Sequence, residues 1–252
     1  MAHWKLDGHG VDRYAPDQLR FAREEGGEHP GDEIGKPPKA YSGNYVGKMH
    51  GEYSFTPDVG MDHGALFLHG PLRPGWMDGG FVPGSGDSIT VSLWFKALEY
   101  RDQVLISKQA SGNGGKGWQI KLGADGSIEF IIGSAGNYTK VRASTGFDKL
   151  DGTPTPKAYG TGTWVRHFGW THLACTFGGQ TAKIYINGQE SASLSSVQNG
   201  VGDRQSPLLV GRSNDNFFPE DFRGMVDEIK IHNIALDTAK IQELALLKLP
   251  SA

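Results

Sequence analysis

The clearest pattern in the chain is alternation of apolar and polar residues in short segments that are separated by turn residues. From Trp118 to Leu122 every second residue is apolar, and the alternation resumes from Ile128 to Ile132 after an Ala-Asp-Gly turn. A period of two is typical of a strand with one buried face. The pattern therefore predicts a hairpin whose core side carries Trp118, Ile120, Leu122, Ile128, Phe130 and Ile132.

Segments with strand character recur along the chain, and they are rich in β-branched and aromatic residues. Glycine-containing turns separate many of them, including Asn187-Gly188. Short strands and turns at regular spacing predict an all-β fold, a two-sheet antiparallel jelly-roll sandwich. Near the end, Asp237 stands in an N-cap position before Ile241, Leu244 and Ala245 at helical spacing, which predicts a short C-terminal helix.

Periodicity is lost between residue 9 and about residue 57. Charged residues cluster between Arg20 and Glu28, and Pro30, Pro37 and Pro38 interrupt any regular element. Long loops are usually functional where they are ordered and are linkers where they are disordered. Of these two alternatives, we expect an ordered flap. The prediction is a single domain over residues 1–252 with a long irregular insertion at about 9–57.

Eight segments resemble, in their order, the laminin-G-like, concanavalin A-type lectin and glucanase domains. They are HWKLDG, HGALFLHG, ITVSLWFKA, VLISK, WTHLACTF, KIYINGQ, LLVGR and FRGMVDEIKIHN. The resemblance spans nearly the whole chain and implies the same jelly roll. Members of this class act as carbohydrate-binding modules, protein-binding modules and, in related jelly rolls, glycan hydrolases or lyases, so the fold alone does not choose among these functions.

The composition of the chain argues against nucleic acid and membrane partners. The 252 residues carry a formal net charge of −3, which gives no electrostatic footprint for nucleic acid, and no apolar run reaches membrane-spanning length. The single cysteine, Cys175, excludes an internal disulfide and lies in an apolar strand pattern, so we expect a buried, inert thiol. We expect an extracellular or cell-envelope module of a larger multidomain protein, whose export signal is not in this sequence.

Carbohydrate binding requires aromatic platforms and planar polar side chains. Alternation places polar residues on the non-core side of the predicted hairpin and of the next strand, Tyr138–Arg142, while two tryptophans lie in or beside loops. The candidate ligand-binding residues are Gln119, Lys121, Glu129, Tyr138, Lys140, Arg142, Trp76 and Trp164. The expected partner is a polysaccharide or other glycan, and the three cations in the set suit an anionic version of it.

Two enzymatic alternatives use the same polar face. A glycoside hydrolase needs two facing carboxylates, and alternation would send the adjacent Asp227 and Glu228 to opposite faces of a strand. A polysaccharide lyase needs a base and a cation to neutralise the uronate carboxylate, and the candidates for these roles are Tyr138, Lys140, Arg142, Arg166, His167 and His172. A protein-adhesion module is the third alternative. Among these functions, the one we predict is non-catalytic, lectin-like glycan binding.

An acid in the middle of a strand is unusual, and Asp227 occupies such a position. In the family that the chain resembles, such an acid commonly belongs to a structural calcium site. Pairing of an N-terminal turn with this strand implies that Asp7 and Asp227 are the metal ligands and calcium the cofactor. The simpler alternative is a solvent-facing Asp7 and an Asp227 that pairs with Lys230 or another cation.

Overall fold

The structure of the protein is a computed structural model. It describes residues 2–4, 48–51, 53–62, 64–71, 74–80, 88–109, 115–134, 136–144, 163–164, 170–203, 205–214 and 220–246. In chain order its elements are β1 (Ala2–Trp4), β2 (Lys48–Gly51), β3 (Tyr53–Asp62), β4 (Gly64–His69), β5 (Gly75–Asp78), β6 (Ile89–Ala97), β7 (Glu99–Tyr100), β8 (Gln103–Lys108), β9 (Trp118–Leu122), β10 (Ile128–Ser134), β11 (Asn137–Ala143), β12 (Thr163–Trp164), β13 (Thr171–Gly178), β14 (Thr181–Ile186), β15 (Gln189–Leu194), β16 (Leu209–Val210), β17 (Arg223–His232) and α1 (Thr238–Ala245).

Two antiparallel sheets form the sandwich. Sheet A has the order β15-β14-β13-β6-β17-β4-β3, with β1 paired to β17, and sheet B has the order β11-β10-β9-β8-β16-β5-β2. The predicted jelly-roll class and the short terminal helix are both confirmed. The N-terminal strand lies beside the last strand, as predicted, because Trp4 pairs with Ile229.

The core lies between the sheets and is built from the inward side chains of both. Trp118, Ile120, Leu122 and Phe130 are fully buried on the sheet B side, as alternation predicted, and Cys175 is buried on the sheet A side. Burial raises the pKa of the Cys175 thiol, because the thiolate would lose its hydration. The cysteine is therefore a packing residue.

The predicted boundary of the irregular insertion was wrong at its C-terminal end. Residues 48–51 and 53–62 form β2 and β3, so the non-periodic stretch ends before Lys48, and residues 9–47 lie outside the described part. Pro57 lies within β3. β3 is an edge strand of sheet A, where a missing N–H is tolerated, and its register shifts between Pro57 and Asp62.

Helix α1 covers part of the outer face of sheet A. Asp237 caps it by accepting the backbone N–H of Lys240 at 2.8 Å, and Ile241 packs on Ala174 and Tyr185. No helix in the described ranges is both long enough and apolar enough to span a membrane. The outer face of sheet B has no such helical cover among the described elements, and all the predicted ligand residues except Trp164 lie on this face.

Candidate functional site

Strand register brings five of the predicted ligand residues together on the outer face of sheet B. Glu129 of β10 pairs with Arg142 of β11 on one side and with Lys121 of β9 on the other. Two residues further along β10, Ile131 pairs with Lys140 of β11 on one side and with Gln119 of β9 on the other. The five polar residues thus form two adjacent cross-strand rows, since side chains two apart on a strand share a face.

These charged side chains pair with one another and with neighbouring loops. The Lys140 Nζ atom lies 2.8 Å from Glu129 Oε2, and Arg142 Nε lies 3.9 Å from Glu129 Oε1. Arg142 also pairs with Asp125 in the β9–β10 turn, while Lys121 pairs with Glu220. Hydrogen bonds from the Ser127 hydroxyl and amide lower the pKa of Asp125, so this carboxylate is ionised at neutral pH.

Tyr138 presents an exposed ring at the edge of this face, with 54% of the residue accessible. Its cross-strand partner is Gly133, which has a φ of 103° and contributes no side chain beside the ring. A Cβ atom at Gly133 would lie 2.4 Å from the Asn137 carbonyl oxygen, so glycine is required there. Asn199 fixes the start of β11 by donating from Nδ2 to that carbonyl at 3.0 Å.

At the other end of sheet B, Trp76 is the centre of a stack. The ring of its cross-strand partner His50 lies parallel to it, with a 5.0 Å centroid separation and an interplanar angle of 7°. The Arg212 guanidinium carbon lies 3.9 Å from the Trp76 ring centroid, on the side of β16. The Trp76 ring therefore contacts both His50 and Arg212, and its role as a platform for a sugar ring stays a prediction.

Arg212 is held in place by a buried carboxylate. Its Nε and Nη2 atoms donate to Asp221 Oδ1 and Oδ2 at 2.7 and 2.9 Å, a bidentate geometry that fixes the guanidinium plane. Asp221 is fully buried and bridges to Val104 of β8. The same segment supplies Glu220, the partner of Lys121.

We call this outer surface of sheet B the polar band. It consists of Tyr138, Lys140, Arg142, Asp125, Glu129, Gln119, Lys121, Glu220, Arg212, Trp76 and His50, together with Asp221, the buried partner of Arg212. It crosses the sheet from β11 to β2, a width of about 29 Å over six strand spacings. The sequence did not identify His50, Asp125, Arg212, Glu220 or Asp221 as ligand-binding residues, although Arg212 ends the LLVGR segment.

The remaining predicted ligand residue, Trp164, is not part of this face in any contact that the structure describes. Its backbone forms β12 and pairs with Glu99 of β7 in a separate two-stranded ladder. Its side chain lies outside the described part of the molecule. Its role in binding stays a prediction.

The predicted metal ligand Asp227 lies at a β-bulge in β17. The core residues Val226 and Ile229 are separated by two residues instead of one, and Glu228 adopts a φ of 50°. Asp227 and Glu228 therefore both lie on the side away from the core, so the prediction that alternation sends them to opposite faces was wrong. The ion pair of Lys230 is with Glu228, at 2.8 Å.

The bulge partly fits a calcium site. Asp227 is fully buried, its Oδ1 accepts the Glu228 amide at 2.8 Å, and β1 runs beside β17 three residues before Asp7. Asp7 itself lies outside the described residues. Within the described ranges, no three His, Cys, Asp or Glu side chains converge as a metal site. A complete site would thus need oxygen ligands from beyond those ranges.

Comparison with known proteins gives one family and many similar structures. The family model for the concanavalin A-like lectin/glucanases superfamily matches residues 80–242. No curated protein matches the sequence. Among solved structures, domain 4 of AbnA, a GH43 extracellular arabinanase from Geobacillus stearothermophilus in complex with arabinotriose, has a TM-score of 0.61 at 20% identity over 97% of both chains.

Two toxin domains share the fold over most of this chain. The binding domain of botulinum neurotoxin serotype G has a TM-score of 0.58 at 14% identity, over 82% of this chain and 47% of the toxin domain. The binding domain of Paraclostridial Mosquitocidal Protein 1 has a TM-score of 0.57 at 18% identity, over 91% and 52%. The chain therefore spans about half the length of these toxin domains, and identities this low establish shared fold alone.

Proposed function

The chain belongs to the concanavalin A-like lectin/glucanase superfamily, and on that premise we propose that it binds carbohydrate through the polar band without catalysing a reaction. The observation that carries this proposal is the exposed Tyr138 ring beside the paired side chains of Lys140, Glu129 and Arg142. An exposed aromatic ring offers an apolar face to a sugar ring, and the adjacent donors and acceptors match its hydroxyl groups.

The similar structures support a binding module over an enzyme of this class. Domain 4 of AbnA is seen with arabinotriose and covers nearly the same length as this chain. We further propose that this chain is a module of a larger extracellular or cell-envelope protein. The lyase alternative has weaker support, because Lys140 and Arg142, which would have to neutralise a uronate, already pair with Glu129 and Asp125.

The function is tested by affinity electrophoresis in gels that contain soluble polysaccharides, with arabinan among them. Tyr138→Ala is expected to lose roughly tenfold in affinity, about 1.5 kcal/mol, because truncating an aromatic contact residue costs this order. The matched control is Leu194→Ala, which removes another exposed apolar side chain from β15 of sheet A. Equal affinity of both variants and the parent protein would remove Tyr138 from the site.

We also propose a structural calcium ion, with Asp227 and Asp7 as carboxylate ligands and backbone carbonyl oxygens completing the shell. The support is the buried Asp227 at its bulge and the pairing of β1 with β17. Calcium accepts six to eight oxygen ligands of this kind. It would bridge the N-terminal turn to the last strand.

Calcium at tenfold excess over its Kd is expected to stabilise the fold by about 1.4 kcal/mol. The melting temperature should fall in the presence of a chelator and recover with added calcium, whereas Asp227→Asn should be insensitive to both. The measurement is thermal unfolding followed by circular dichroism, with magnesium as the ionic control. If neither chelator nor calcium changes the melting temperature of the parent protein, the protein has no such site.

A further inference from the structure

The charges of the polar band are balanced pair by pair. Its four lysine and arginine side chains are Lys121, Lys140, Arg142 and Arg212. Each lies in an ion pair, in the same order with Glu220, Glu129, Asp125 and Asp221. Four cations and four carboxylates give the twelve residues of the band no net formal charge, with His50 counted as neutral. The positive field that the sequence alone suggested for Lys121, Lys140 and Arg142 is therefore cancelled locally.

From this balance we propose that the polar band selects an uncharged polysaccharide and discriminates against glycans that carry carboxylates. The proposal rests on the carbohydrate-binding function proposed above and specifies its ligand class. A uronate would have to displace Glu129 or Asp125 from its cation, and the displaced carboxylate would then repel it. Neutral hydroxyl groups need no such exchange, because they both donate to carboxylates and accept from guanidinium and ammonium groups.

Arg212 shows how a paired cation can still bind a neutral ligand. A guanidinium has five N–H donors, and Asp221 accepts two of them. The side chain keeps 25% of its surface accessible, and Trp76 and Asp221 fix its plane. The remaining donors are thus held in position for a hydroxyl or ring oxygen, so little side-chain entropy is lost on binding.

The test breaks one ion pair and asks whether the ligand preference changes. Glu129→Gln keeps the shape of the side chain and leaves Lys140 without its partner at 2.8 Å. The matched control is Glu190→Gln, which releases Lys183 from an equally short 2.8 Å pair on sheet A and changes the net charge by the same amount. Glu220→Gln, which releases Lys121, is a second variant on the band.

Binding is measured by titration calorimetry with an uncharged oligosaccharide and a uronate-containing one of equal length, at 50 and 300 mM NaCl. The parent protein should bind the uncharged ligand at least tenfold tighter, with less than a twofold change between the two salt concentrations. Glu129→Gln and Glu220→Gln should gain at least fivefold affinity for the uronate ligand, and the gain should disappear at 300 mM NaCl. Glu190→Gln should behave like the parent protein.

The outcomes separate this inference from the function on which it rests. A parent protein that prefers the uronate ligand, or band variants with no gain, would overturn the neutral-ligand inference and leave carbohydrate binding intact. A gain in Glu190→Gln equal to that in Glu129→Gln would also overturn it, because net charge would then explain the effect. Failure of the parent protein and of every variant to bind either ligand would refute the proposed function itself.

Discussion

Lowering the pH from 7.5 to 4.5 is expected to destabilise the folded protein by about 2.5 kcal/mol through His172 alone. The structure lowers the pKa of this histidine from the ordinary 6.5 to about 4. Burial is the main cause, because the imidazolium ion would lose its hydration, and the charge of Lys230 adds repulsion. His172 is almost fully buried on β13, next to the Trp94 ring at a centroid distance of 5.2 Å.

The direction of the stability change with pH depends on whether the folded or the unfolded state binds the proton. Between about pH 6.5 and pH 4 the unfolded chain protonates His172 and the folded chain does not, so stability is lost as the pH falls through this window. The measurement is urea unfolding at both pH values for the parent protein and for His172→Gln, which removes the titrating group. The difference between the two proteins isolates the histidine from carboxylates that titrate near pH 4. Equal pH dependence in both proteins would contradict the prediction.

Replacing Asp221 with alanine is expected to destabilise the fold by about 3 kcal/mol. Removing one member of a buried ion pair typically costs 3–5 kcal/mol, because the partner charge is left without compensation. The lower end applies here, since Arg212 keeps a quarter of its side chain in water. The variant should also lose glycan affinity, because the guanidinium would no longer be fixed against Trp76.

A double variant separates the unpaired charge from lost packing. Asp221→Ala combined with Arg212→Met removes the cation and keeps apolar contact with Trp76, so it should recover at least 1 kcal/mol of the loss. The measurement is the free energy of unfolding in urea, with the slope m compared among the three proteins. A double variant that is less stable than the single one would show that the loss does not come from an uncompensated Arg212.

The strands of the candidate site could be predicted because local alternation determines their faces. Trp118, Ile120, Leu122 and Phe130 face the core, and Gln119, Lys121 and Glu129 face outward, which a period of two requires once one face is buried. The same local rule failed at Asp227 and Glu228. A β-bulge adds one residue to one strand of the pair, and the residue types around Asp227 do not predict it.

The stack around Trp76 could not be read from the sequence. The stack joins three segments that become neighbours only through the strand order of sheet B. His50 lies on β2, Trp76 lies on β5, and Arg212 is the second residue after β16. Among the ion pairs of the band, Lys121 with Glu220 has the same origin, since these two residues are about a hundred residues apart. Lys140 with Glu129 and Arg142 with Asp125 instead join strands or turns that follow one another in the chain. The three cations alone therefore suggested a positive surface, whereas these ion pairs neutralise it.

The most direct test of carbohydrate binding by the polar band is chemical-shift mapping by NMR. The ¹⁵N-labelled protein is titrated with an uncharged oligosaccharide, and the perturbed backbone amides are assigned. We expect shifts concentrated on the polar band, around residues 119–121, 129–133, 138–142 and 212, with little change on β13, β14 and β15 of sheet A. Shifts concentrated on sheet A, or none at ligand concentrations that saturate glycan-binding modules, would contradict it.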